Sequence, residues 1–224
     1  MNETRTYEYL KERTELGARA YNLCIGISVF IGLLITAVTT YLLKDSVGMM
    51  FYVHPLIFSI LYLVVSLSAS QIAINTENEM VSVIGYVVIA IATGALLSSC
   101  IPYEKMSVLL NAAITTGVIL AVMITVATAF PGMFLGFGKV LLTSLFALII
   151  GETIMYFIFG VSPAIIDVIA IGIFTVYIGY DWQKGLEYPK TLKFAIITTI
   201  SIYLDLINIF IRLVSLTSKN SNKK

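Results

Sequence analysis

Seven stretches of mostly apolar residues follow one another along the chain, at roughly 20–43, 55–75, 80–100, 107–130, 139–160, 164–183 and 193–215. A helix of about 20 residues crosses the hydrocarbon core of a bilayer. In that solvent only a helix or a closed barrel satisfies its own backbone. The runs are continuously apolar, whereas barrel strands alternate over segments of about ten residues. The links are short and carry turn residues: NTENE at 75–79, PGMFLGFGK at 131–139, GVSP at 160–163 and EYPK at 187–190. The pattern predicts an all-α integral membrane protein, a seven-transmembrane-helix bundle. It consists of an N-terminal segment at 1–19, one membrane domain at 20–216 and a polar tail at 217–224. Of the 224 residues, 58% are hydrophobic and 12% charged, where a soluble domain has about 45–50% and about 25%.

Short-loop lysines and arginines give the orientation. With the N-terminus in the cytoplasm, that side collects Arg5, Lys11, Arg13, Arg19, Lys139, Lys184, Lys190 and Lys193, and the other side Lys44, Lys105, Lys219, Lys223 and Lys224. The bias selects N-inside and C-outside. Residues 1–20 read as a short solvated or interfacial helix. The first apolar run starts late and is too long for a cleavable signal peptide.

A net charge of +1 and the lack of a basic cluster exclude nucleic acid as a partner. The two cysteines, Cys24 and Cys100, read as small packing residues, and no cofactor is implied. With His54 as the only histidine, no His-based metal site or triad can be assembled. There is no Gly-x-Ser-x-Gly element either, so an enzyme is not expected. GFGK at 136–139 fails as a phosphate-binding loop, because Gly132 is out of register and Val140 stands where Ser or Thr is needed. Ala90, Gly94 and Ser98 form a small-residue row suited to close helix packing.

Charged groups at bilayer depth are expensive and usually mark ion or proton paths. The candidates are Glu152, Asp167, Asp181, Asp205 and Arg212. On the last run Ser201, Asp205, Asn208, Arg212 and Ser215 are spaced by 4, 3, 4 and 3 residues, one stripe on one helical face. That stripe is expected to face inward, towards neighbouring helices. A direct Asp205–Arg212 pair is the plainer alternative, although two turns, about 10 Å along the axis, is long for it. Asp167 and Asp181 share a face of the sixth run about 21 Å apart. Asp167 also reads as a helix-start carboxylate favoured by the dipole. Glu152 either bonds a neighbouring backbone while protonated or faces a watery cavity. Glu152 and Asp167, with Asp181 and Asp205, are expected to form a ladder of carboxylates between the two faces.

IGYDWQKG at 178–185 and SIYLDLINIFIRLVSL at 201–216 resemble the C-terminal signature of the Bax-inhibitor family, seven-helix proteins of the transmembrane Bax-inhibitor motif. The specific elements are Tyr180-Asp181-x-Gln183 and Tyr203-Leu204-Asp205-x-x-Asn208; GYVVIAIATGALLSS and the fourth and fifth runs add support, over most of 20–216. The resemblance implies a central C-terminal helix and a pH-sensitive calcium leak across a bacterial plasma membrane. It further implies that Asp181 and Asp205 share a proton, close the pore and bind calcium. Two carboxylates within reach in a low dielectric cannot both ionise cheaply and titrate as a pair. Losing the shared proton leaves repulsion and two acceptors for a hard cation, so deprotonation favours opening. The partners are then the lipid bilayer, calcium and protons. A membrane-embedded protein restraining a membrane protease or a cell-death-type partner is the other reading.

Overall fold

The structure, a computed structural model, describes residues 16–45, 55–99, 104–160 and 164–221. The expected N-terminal helix up to residue 15, His54 and Cys100 lie outside them. All seven apolar runs are helices: α1 (Ala18–Leu43), α2 (Pro55–Asn75), α3 (Glu79–Leu97), α4 (Met106–Ala129), α5 (Gly138–Phe159), α6 (Ala164–Glu187) and α7 (Leu192–Ser221). No strand occurs among the described residues. Six of the helices are long and apolar enough to cross a membrane, and the described part of α2 forms a shorter apolar helix at Ile60–Asn75. The chain is a multi-pass membrane protein. Two ends differ from expectation: α6 runs on to Glu187 and α7 to Ser221, five residues into the expected tail, because neither stretch contains a proline before Pro189 or after it.

The helices fall into two compact units. One comprises α1, α2, α3 and the first part of α7, up to Tyr203; the other comprises α4, α5, α6 and α7 from Leu204 onward. The last helix is the most deeply buried of the spans. In its most apolar stretch 67% of residues are buried, against 11% for α5. It is buried on several faces, since Ile202, Tyr203, Leu206 and Ile209 are as enclosed as Asp205. The inward stripe is thus only partly as expected: Asp205 is buried, while Ser201, Asn208, Arg212 and Ser215 are half-buried. Apolar residues around the helix find neighbours too, so polarity does not single out the enclosed face.

In the first unit α3 packs against both α1 and α2. Threonine hydroxyls stitch α1 to α3: Thr36 Oγ1 lies 3.2 Å from Ala90 O and Thr40 Oγ1 3.1 Å from Gly94 O, while both also reach back to their own helix at Gly32 O and Thr36 O. Ser82 donates to Ala73 O of α2 at 2.8 Å. These contacts need small residues between the backbones, and the row Ala90, Gly94 and Ser98 is fully buried there, as close packing requires. The Tyr203 hydroxyl is 2.5 Å from Thr36 Oγ1, and its ring stands edge-on to Tyr86. Thr36 has a single hydrogen, and with a carbonyl taking it Tyr203 is the donor. Tyr86 in turn donates to Ser28 O. At the start of α7, Leu16 N donates to Lys190 O, and the Lys190 ammonium lies 4.6 Å from the Tyr21 ring centre. Burial lowers the Lys190 pKa from the usual lysine value.

A methyl group at position 94 would stand 2.6 Å from Thr39 Cβ and 2.8 Å from Thr36 O. Gly94→Ala is therefore expected to cost about 1–3 kcal/mol by overpacking, read as a lower thermal midpoint of the detergent-solubilised protein. Gly117→Ala, whose methyl meets nothing within 4 Å, is expected to leave the midpoint unchanged or raise it.

Candidate functional site

The second unit brings together two of the carboxylates on its two C-terminal helices. The carboxyls of Asp181 on α6 and Asp205 on α7 lie close enough to interact directly. Asp205 is 6% exposed and Asp181 half-buried. Ionised carboxylates only accept hydrogen bonds, so a hydrogen bond between these two groups requires a proton on one of them. The other oxygen of Asp205, Oδ2, is buried and has no hydrogen-bond partner among the described residues. The extension of α6 to Glu187 helps the pair to meet, because it places Asp181 further from the turn and so shortens its axial offset from Asp205.

Several side chains around the pair were not singled out in the sequence. Tyr177, one turn before Asp181, lies close enough to both carboxyls to feel their charge, and Lys184, one turn after it, lies close to Asp181. An i−4 and i+3 search from Asp181 would have found them. Gln183 is 4% exposed and spends its whole amide on the connection between α4 and α5. Its Nε2 donates to Ala127 O at 2.8 Å and Phe130 O at 2.7 Å, and its Oε1 accepts from Phe134 N at 2.9 Å. Trp182 Nε1 donates to Thr128 Oγ1 at 3.0 Å. That connection turns at Gly132, whose φ of +80° suits glycine, and passes through a short 3-10 turn, Leu135–Phe137, into α5.

The remaining candidates go elsewhere. Arg212 does not pair with Asp205. Its guanidinium makes an ion pair with Glu152 of α5 and reaches Asp167 of α6 at 3.3 Å. Asp167, with its side chain 3% exposed, also takes the Lys219 ammonium at 2.9 Å and the Ser215 hydroxyl at 3.0 Å. The expected carboxylate ladder is therefore not formed: Glu152 and Asp167 are committed to cations on α7. The reason is helical spacing, since Arg212, Ser215 and Lys219 follow at 3 and 4 residues and present one face. Asp167 does lie in the first turn of α6, as a helix-start carboxylate would. Glu152 needs neither a backbone partner nor a cavity. Asn208 bonds back to Leu204 O of its own helix at 2.9 Å. Tyr180 packs against Gly138, where an added methyl would come within 3.0 Å of its hydroxyl. Tyr203 belongs to the first unit, on Thr36 and Tyr86. Cys24 is a free thiol.

No group of three or more His, Cys, Asp or Glu residues able to hold a metal ion occurs among the described residues. Asp181 and Asp205 offer two carboxylates, so a calcium ion on them would draw most of its six to eight oxygen ligands from water and carbonyls.

Seven helices, most of them long enough to span a bilayer, with a buried carboxylate pair on the last two, define a polytopic helical membrane protein with an ionisable interior. A family model described as inhibitor of apoptosis-promoting Bax1 matches residues 20–222, and the chain belongs to that family. No curated protein matches it in a sequence comparison.

Removing the Arg212 charge leaves Glu152 without its partner and Asp167 with one cation fewer. Breaking a buried ion pair from one side costs about 3–5 kcal/mol, and the partial exposure of Glu152 puts Arg212→Met at the lower end. A thermal melt should show this loss, and adding Glu152→Gln to the same chain should recover part of it. If Arg212→Met melts like the unaltered protein, the ion cluster does not hold α5, α6 and α7 together.

Proposed function

We propose that the protein is a proton-regulated calcium leak channel, gated by Asp181 and Asp205. The close approach of these two carboxyls, one buried and one half-buried, between the last two helices is the observation that carries the reading. A proton held between them ties α6 to α7. Its loss places two negative charges side by side in a low dielectric, where repulsion is strong, and frees oxygens suited to a hard cation. The charged and titratable groups near the pair are Lys184 and Tyr177 on α6. Calcium is the cargo, with no resident cofactor. The membrane is a bacterial plasma membrane, with the N-terminus in the cytoplasm on the lysine and arginine bias of the loops.

The family description supports a second reading, in which the chain restrains a membrane protease or a cell-death-type protein and any leak is incidental. Native co-purification with tail deletions separates the two: loss of a stable partner on deletion, with flux unaffected, favours the second.

The sign of the pH response follows from the shared proton. Acid keeps the pair joined and the leak low; raising the pH removes the proton and raises the flux. In liposomes loaded with a calcium dye, the unaltered protein is expected to show this rise across a pH series. Asp181→Asn combined with Asp205→Asn should flatten it. A pH response that survives both substitutions would sink the two-aspartate gate.

A further inference from the structure

We propose that Gln183 is a positioning residue for the Asp181–Asp205 contact, clamping the end of α6 to the α4–α5 connection and so fixing where Asp181 points. The inference rests on the gate reading above and adds a residue and a structural element to it.

The five residues from Gly179 to Gln183 divide their contacts in an uneven way. Four of them meet the stretch 123–138. Gly179 lies under Phe134, whose ring a methyl at 179 would strike at 2.8 Å; Tyr180 lies on Gly138; Trp182 bonds Thr128; and Gln183 bonds Ala127, Phe130 and Phe134. Asp181, between them, meets Asp205 of α7. A residue's direction on a helix rotates by about 100° per position, so holding residues 179, 180, 182 and 183 sets the azimuth and height of the carboxyl between them.

Gln183 does most of this holding. It uses both amide hydrogens and its oxygen, three bonds in all, on backbone groups at and just beyond the end of α4, of which Phe130 O also accepts from Met133 N. Ala127 O lies in the last turn of α4, where carbonyls lack helical partners. Phe130 O and Phe134 N belong to the turn that follows. An amide can fill such a set because it donates and accepts at once; a carboxylate or an apolar side chain of the same size cannot. The α4–α5 connection is therefore part of the gate's mounting, and a movement there reaches Asp181 through a single buried side chain.

The test is the pH profile of calcium flux in liposomes for Gln183→Leu and, independently, Thr128→Val, which removes the Trp182 bond without altering α6. Gln183→Leu is expected to raise the leak at acid pH by about tenfold, the fold-change that corresponds to one net hydrogen bond of about 1.4 kcal/mol no longer holding the closed arrangement. Thr128→Val should shift the profile in the same direction by less, and it serves alone if Gln183→Leu fails to fold. Gly94→Ala, which destabilises α1 and α3, controls for stability: its midpoint falls while its pH profile stays in place. Asp181→Asn, run alongside, separates the two ideas. If it abolishes the pH response while Gln183→Leu and Thr128→Val keep the unaltered profile, the positioning role is overturned and the gate stands. A pH response that persists when Asp181→Asn is combined with Asp205→Asn removes the gate, and the positioning role with it.

Discussion

Hydrocarbon supplies no hydrogen-bond partner, so every polar group carried into a membrane span has to find one inside the protein. The arrangement of this chain follows from that constraint. Thr36 and Thr40 hand their hydroxyls back to their own helix and across to α3. Gln183 satisfies three backbone groups at once. Arg212 and Lys219 are matched by Glu152 and Asp167. Once these partners are assigned, the helix neighbours within each unit are largely determined.

Asp205 is the group for which the constraint is least fully met. One oxygen contacts Asp181 and the other is buried without a partner among the described residues. The two systems differ: cations neutralise Glu152 and Asp167, while Asp205 faces another carboxyl, that of Asp181. A group held by a proton responds to pH; a carboxylate held by a guanidinium responds far less, because arginine stays charged. The same helix, α7, thus carries both a fixed tie and a titratable one.

Much of the fold was legible before any coordinates. The seven runs became seven helices with ends within a few residues, because bilayer thickness dictates length and the turn residues at 75–79, 131–139 and 187–190 interrupt them. The small row at Ala90, Gly94 and Ser98 proved to be a packing seam, since lipid leaves close contact as the drive for helix association. The site was only partly legible. Periodicity placed Asp205 and Arg212 on one stripe, yet it could not say which neighbours each would meet.

Sequence alone determined the class, the number and extent of the spans, and the short roster of ionisable groups in the interior, because hydropathy and helical period are local properties. Tertiary structure decided the pairings. It sent Arg212 to Glu152 and Asp167 and turned Gln183 towards the α4–α5 connection, whereas the Asp181–Asp205 pairing was already implied by the family resemblance. Those choices depend on which helix faces which within the unit, over separations of up to sixty residues in this chain, and no local rule carries that information.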